Sequence, residues 1–242
     1  MTGLMDFHSH VLPGIDDGSH SVEESLAMLK MEQDQGISRV VATPHFYANH
    51  DRPSQFLKRR EESWEKLMEA AEDVGETPEI LLGAEVHFFP GISDMEQLPE
   101  LTIGGKQCIL LEMPQSPWTE KMYREIGNIY FKQGIVPVIA HIDRYIQPFR
   151  TYGIPERLED LPVMVQANAG FFLRPATKRM AIRMLRKNQI HLLGSDCHNL
   201  QNRPPRLGEA AEWIRNKLGE AALTQVLEHQ NMLLGNKCLQ SM

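Results

Sequence analysis

The chain has 242 residues, 42% hydrophobic and 24% charged, enough to bury one sizeable core and within the usual length of a single α/β barrel. Its formal net charge of −7 argues against nucleic acid or an anionic membrane as the main partner, since those surfaces are held by clustered Lys and Arg. No apolar run reaches the roughly 18–20 residues of a membrane span, the start lacks a basic-then-apolar leader, and Cys108, Cys197 and Cys238 are too irregularly spaced for a disulfide framework, so a cytoplasmic protein without membrane insertion is expected.

Seven short apolar runs rich in β-branched residues alternate with helical patterns: 4–8, 39–43, 80–86, 108–113, 136–141, 163–167 and 190–195. After the first, Pro13-Gly14 breaks the strand and Asp16-Asp17-Gly18 turns the chain. Ser21-Val-Glu-Glu24 reads as a capping box opening a helix that Gly36 ends. A second helix is expected over 54–74, with Phe56, Leu57, Trp64, Leu67 and Met68 as its buried stripe. Further helices fit 119–133, 175–188, 205–218 and 220–229. Strands alternating with helices imply βαβ units and a parallel sheet, and near-continuous apolar runs such as 136–140 suit strands buried on both faces. The expected fold is one α/β domain over 1–242, a distorted (β/α)7 TIM-like barrel, with its chemistry at the C-terminal ends of the strands.

The ligand-type residues fall at those ends. Strand one runs into His8 and His10, whose i, i+2 spacing turns both imidazoles to one side of an extended segment. The later strands exit into His45, into Glu85 and His87, into Glu112, into His141, and into Asp196 and His198. Converging carboxylates and imidazoles would repel or stay unsatisfied without a cation among them, and this mixture suits Mn, Fe or Zn better than Ca. The candidates outnumber one coordination sphere, which implies a cluster of two or three ions.

His8-Ser-His10, Thr43-Pro44-His45, Gly83-Ala84-Glu85, Ala140-His141 and Gly194-Ser195-Asp196-Cys197-His198 resemble the polymerase and histidinol phosphatase (PHP) superfamily of metal-dependent phosphoesterases. The run from His8 to Gly18 and His141-Ile-Asp-Arg144 resemble, more closely, the bacterial manganese-dependent protein tyrosine phosphatases encoded with capsule and exopolysaccharide synthesis. The likeness extends from Asp6 to about Gly235. It implies a PHP-type distorted seven-stranded barrel with up to three ions, Mn2+ foremost. Carried over, it gives His8, His10, Glu85 and Asp196 to one ion, Glu85, Glu112 and His141 to a second, and Asp17, His45 and His198 to a third. Arg144 and Arg203 would bind phosphate and stabilise the transition state, and Asp17 would ligate, donate a proton, or both. The implied substrate is a tyrosine-phosphorylated protein, such as a bacterial tyrosine kinase or an exopolysaccharide-synthesis regulator. One departure stands out: Phe46 occupies the place where the branch usually has a second His, leaving His50 or Asp51 to replace a lost contact or to do nothing.

The mechanism that follows is in-line attack on phosphorus by a metal-bound hydroxide, with arginine forks on the non-bridging oxygens. Two rivals remain open: a small-molecule phosphomonoesterase such as a histidinol phosphatase, and a catalytically silent regulatory scaffold. Cys197 and Arg203 also form a Cys-x5-Arg spacing, but the intervening His-Asn-Leu-Gln-Asn lacks the glycines of a phosphate-wrapping loop, and we treat the match as coincidental. Asp16 reads as a turn residue, Asn168 as turn chemistry or a substrate contact, His191 and His229 as structural, Phe171-Phe172-Leu173 as packing, and Lys58-Arg59-Arg60 as a solvated helix face. His87 stays open between a site role and a structural one.

Overall fold

A computed structural model describes residues 3–146 and 153–235; Cys238 lies outside them. Among the described residues, nine short strands, all paired in parallel, form two sheets. The smaller takes β1 (Leu4–Ser9), β2 (Ile37–Ala42) and β4 (Glu79–Leu82) in that order. The larger runs β3 (His45–Phe46), β5 (Glu85–His87), β6 (Cys108–Glu112), β7 (Val136–Ile139), β8 (Met164–Asn168) and β9 (Leu192–Gly194). The sheet is curled, and β1 also lies beside the segment after β9, where Asp196 N–H donates to His8 O at 2.8 Å and His10 N–H to Cys197 O at 2.9 Å.

The expected second strand is present as β2 and is followed by the further short strand β3, while the expected third strand is cut in two. Thr43-Pro44 separates β2 from β3, because proline has no N–H for a ladder. Gly83-Ala84 separates β4 from β5, and a Cβ on Gly83 would stand 3.0 Å from Ile103 Cγ1. The breaks carry His45 and Glu85 from the small sheet into the large one, where they pair in register.

The helices are α1 (Val22–Asp34), α2 (Pro53–Glu72), α3 (Glu120–Gln133), α4 (Ile154–Glu159), α5 (Ala169–Leu173), α6 (Lys178–Arg186), α7 (Leu207–Leu218) and α8 (Glu220–Leu234). Helices α4 and α5 carry no sequence signal strong enough to have been expected. The capping box of α1 is half realised: Ser21 Oγ accepts Glu24 N–H at 3.2 Å, whereas the Glu24 carboxylate returns to His20 N–H at 2.9 Å. Among the described residues no helix is long and apolar enough to cross a membrane.

Period-two alternation divides the core. Met5 and Phe7, Cys108 and Leu110, and Val136 and Val138 join Met164 and Leu192 in one buried cluster that Leu233 of α8 helps to close. The opposite parity, including Ile109, Leu111, Ile139, Val165 and Leu193, packs against the helices in a larger cluster. Phe46 belongs there too, buried with its ring 5.2 Å from that of Phe56. The residue standing in place of a second His thus turns to the core, away from its neighbour His45. The solvated face expected at Lys58-Arg59-Arg60 holds only in part, since Arg60 donates to Gly83 O at 2.8 Å and steadies the break before β5.

Candidate metal centre

Every residue carried over as a ligand arrives at one end of the curled sheet. The first group is the tightest. His8 Nε2 and His10 Nε2 lie 3.1 Å apart, and Glu85 Oε2 stands 3.2 and 3.3 Å from them. Asp196 Oδ1 is 3.5 and 3.6 Å from the same two nitrogens. In the second group His141 Nε2 lies 2.7 Å from Glu85 Oε1 and 3.5 Å from Glu112 Oε1. In the third, Asp17 Oδ1 is 3.3 Å from His45 Nε2 and 3.5 Å from His198 Nε2. His45 also turns Nδ1 to Glu85 Oε2 at 3.0 Å, so Glu85 stands between all three groups.

The hydrogen-bond inventory argues that these atoms face a cation. His10 Nδ1 donates to Asp16 Oδ2 at 2.7 Å, and His8 Nδ1 faces Gln166 Oε1 at 3.4 Å. With both Nδ1 protons so engaged, both Nε2 lone pairs point at each other and at two carboxylate oxygens. Glu85 Oε2, Asp196 Oδ1, His45 Nδ1 and His198 Nε2 are buried without any aligned hydrogen-bond partner, although all lie close to polar atoms. Burying such atoms unpaired costs on the order of 1–3 kcal/mol each. Donors around a cation at about 2.1 Å stand roughly 3.0–3.4 Å apart, the spacing His8, His10 and Glu85 show, with Asp196 slightly wider. The residues therefore fit the ions that the sequence implies.

Without a cation, protons answer part of the same need. Burial disfavours charge on His10, but Asp16 and Glu85 outweigh it and push the imidazole up to about 10. His141 is likewise raised to about 9 by Glu112 and Glu85 against its burial. Burial raises Glu85, yet the surrounding histidines hold it well below the usual carboxylate range. His198 is lowered by burial and by the neighbouring His10 charge.

Two arginines border the groups. Arg144 donates to Asp196 Oδ2 at 2.7 Å and to Glu112 Oε1 at 3.2 Å, and Arg203 Nη2 approaches Asp196 Oδ1 at 2.7 Å. Their side chains are 28% and 38% exposed, at the mouth of the site. Asp17, 67% exposed, lies at the same mouth. Tyr47 is half-buried there, its ring 5.3 Å from those of both His45 and His87.

The backbone is strained where it presents two of these groups. His141 has φ 33° and Asp196 φ 55°, left-handed values that disfavour residues with a Cβ and collect at functional sites. Close packing adds constraint: a Cβ on Gly194 would meet His8 Cβ at 2.6 Å.

Several supporting residues escaped the sequence reading. Asp16 is a turn residue, as expected, but its carboxylate also binds His10 and the N–H of His45. Gln166 had no role assigned, yet its Oε1 accepts His141 N–H at 2.6 Å while facing His8. Asn168 contacts Asp196 Oδ2 through Nδ2 at 2.8 Å, and His87 Nδ1 lies 3.1 Å from Glu112 Oε2. Asp51 pairs with Arg59 and His50 is exposed beside Tyr47, so neither contacts the groups. A glutamine in an apolar strand run was the one available signal for Gln166.

Cys197 is wholly buried with its Sγ 4.0 Å from Glu32 Oε1, and burial together with Glu32 and Asp6 pushes its thiol well above the usual range. A thiolate nucleophile has no support there. Glu32 itself is raised well above its ordinary value by burial and by Asp6, whose Oδ1 accepts Ser195 N–H at 2.8 Å. His191 and His229 are structural: Val165 N–H donates to His191 Nδ1 at 3.1 Å, and the two rings pack at 5.0 Å. Phe171 and Phe172 are buried in the core.

A family model described as "Capsular polysaccharide synthesis, CpsB/CapC" matches residues 4–234. The chain belongs to the CpsB/CapC family. Within it, the chain is 29% identical over 228 residues to the tyrosine-protein phosphatase CpsB of Streptococcus pneumoniae, covering 89% of this chain and 91% of that protein. It is 25% identical over 248 residues to the tyrosine-protein phosphatase YwqE of Bacillus subtilis, covering 98% and 93%. The fold matches a solved chain from the crystal structures of YwqE and CpsB, described as metal-dependent tyrosine phosphatases, with a TM-score of 0.81 at 24% identity over 96% of this chain and 94% of that one. That likeness shows the fold, and the ligand geometry above is this chain's own.

Proposed function

We propose that this CpsB/CapC protein is a metal-dependent protein-tyrosine phosphatase, a phosphoric monoester hydrolase acting on phosphotyrosyl protein. The observation that carries the reading is the convergence of buried, unpartnered imidazole and carboxylate atoms on shared points, with two arginines at the rim. The activity named for CpsB and YwqE supports it. We assign His8, His10, Glu85 and Asp196 to one ion, Glu85, Glu112 and His141 to a second, and Asp17, His45 and His198 to a third. Mn2+ is the metal we favour, Fe or Zn being compatible with the same donors.

Bound cations supply the reaction with water activated at neutral pH and with neutralisation of phosphate charge. The chain's own residues do the rest. Asp16 and Gln166 hold His10 and His8 with Nε2 inward. Arg144 and Arg203, already at the mouth, present planar forks suited to non-bridging phosphate oxygens. Tyr47 lends an aromatic wall beside the entrance, which suits a tyrosyl group, and a phenolate of unperturbed pKa about 10 leaves more readily than an alkoxide. Asp17, the most exposed of the set, is placed to meet the leaving oxygen as well as to ligate. No protein nucleophile is required.

The finer architecture we assign is one domain in which the two sheets complete a distorted seven-unit PHP-type barrel, each cut strand counting as one. The substrate we assign is a tyrosine-phosphorylated bacterial tyrosine kinase or exopolysaccharide-synthesis regulator, met in the cytoplasm. The decisive experiment measures hydrolysis of a phosphotyrosyl peptide before chelation, after it, and after return of Mn, Fe, Zn or Mg singly. Activity lost to the chelator and restored by one metal is expected. Activity indifferent to complete metal removal would reject the reading.

A further inference from the structure

The chain is acidic overall, yet from Leu161 to Ser195 it contains no Asp or Glu and six basic residues: Arg174, Lys178, Arg179, Arg183, Arg186 and Lys187. Helix α6 sorts them. Arg179, Arg183 and Arg186, at i, i+4 and i+7, form one exposed stripe, while Ala181, Met184 and Leu185 bury the opposite face. Lys187 continues the stripe at the C-terminal end, exposed like the arginines.

Several exposed arginines elsewhere meet carboxylates, Arg157 with Glu120, Arg206 with Glu209 and Arg215 with Glu220, while Arg52 and Arg124 pair with none among the described residues. Arg174, Arg179, Arg183, Arg186 and Lys187 pair with no acidic side chain among the described residues. Like charges at i, i+4 destabilise an isolated helix by a few tenths of a kcal/mol per pair. The helix dipole favours Arg183 and Arg186 in the last turn, but no acidic side chain of the helix neutralises the stripe, which leaves it open to an external anion.

Its position says which one. Helix α6 follows β8, whose exit residue Asn168 holds Asp196, so the N-terminal end of the helix lies on the side of the metal centre. Arg174 bridges the gap, with its guanidinium folded against Gly170, two residues after Asn168. A line of positive charge therefore leads from the mouth of the site down one narrow helix face. We propose that this stripe docks an acidic polypeptide segment flanking the phosphotyrosine of the substrate, a proposal that rests on the phosphatase reading and specifies its substrate. Acidic flanks would enter along α6 while the phosphate reaches Arg144 and Arg203. The rest of the surface carries the excess negative charge, which repels a flat anionic membrane and favours a partner narrow enough to touch α6 alone.

The test uses the charge-reversed variant R179E/R183E/R186E, none of whose sites belongs to the metal centre. Three substrates are compared with the metal-loaded enzyme: a phosphotyrosyl peptide with glutamates on both flanks, the same peptide with glutamines, and p-nitrophenyl phosphate. The variant is expected to lose about tenfold in kcat/KM on the acidic peptide, with a weakened salt dependence, and to match the wild type on the other two. No loss, or an equal loss on all three, overturns the proposal. Binding of the unphosphorylated acidic peptide, read by fluorescence anisotropy, separates the two readings: wild-type binding that the variant lacks supports docking even in a protein that hydrolyses nothing. Phosphatidylserine vesicles supply the rival. Sedimentation of wild type but not variant with them, with peptide binding equal in both, would assign the stripe to a membrane and overturn docking of a peptide.

Discussion

Asp16 Oδ2 receives the Nδ1 proton of His10 at 2.7 Å, and the same oxygen takes the main-chain N–H of His45 at 3.0 Å. One carboxylate oxygen thereby fixes the tautomer of one candidate ligand and the backbone of another from a different sheet. Such outer partners commonly govern metal affinity or activity by about 10- to 100-fold. Asp16→Asn is expected to lower Mn2+ affinity and turnover within that range while the protein stays folded. Metal titration followed by activity at saturating Mn2+ checks it, and full activity at wild-type metal demand would remove Asp16 from the machinery.

Arg144 tests the division between holding metal and stabilising the reaction. It touches Asp196 and Glu112 but offers no lone pair, so Arg144→Ala should leave metal content unchanged. Turnover should fall by roughly 10² to 10³, the scale for losing one transition-state donor. Elemental analysis beside steady-state kinetics reads both quantities. Turnover equal to wild type would reject the assignment.

Cys197 should be dispensable for chemistry. Its thiol is enclosed by Glu32 and Asp6 and held protonated, away from any solvent path. Cys197→Ser is expected to keep metal-dependent turnover, with any loss confined to thermal stability. Near-total loss of activity with metals still bound would instead revive a thiol mechanism.

Acid–base behaviour follows from the two raised imidazoles. His10 and His141 titrate near 10 and 9 in the metal-free fold, against about 6.5 when unfolded. Their contribution to stability is complete below the unfolded value and fades as pH climbs through the folded ones, so chelated protein should lose thermal stability between about pH 7 and 10. Cation binding displaces those protons and should tighten over the same range. Melting curves with chelator or Mn2+ at several pH values should show the gap in Tm widening with pH. A constant gap would contradict this account of the histidines.

The candidate ligand positions were legible because they sit against local grain: a His or an acid ending an apolar strand has no packing reason to be there. Glu85, His141 and Asp196 show this, each one polar residue closing a buried run. The supporting layer was not legible, because its meaning lies in distance across the fold. Gln166 is 158 residues from His8 and 25 from His141, and no local pattern joins them. Strand counting missed β3 after Pro44 and the break at Gly83 for a related reason. An apolar run records burial but not which neighbour its backbone bonds, and the run 80–86 changes sheets in mid-course. Arg60 looked like part of a basic surface run until Gly83 O appeared beside it.

The change of sheets has a mechanical consequence. His8 and His10 ride on or just beyond the three-stranded sheet, whereas His45, Glu85, Glu112 and His141 belong to or follow the six-stranded one. Loading the centre would rivet two sheets that otherwise meet through chain continuity, the core shared by Met5, Phe7, Cys108 and Leu110, and the hydrogen bonds between β1 and the segment after β9. Stripped of metal, the β1–β2–β4 unit loses that tie and keeps only the others. Amide exchange there should then run ahead of exchange in β6 and β7, and the two should fall into step once Mn2+ is restored.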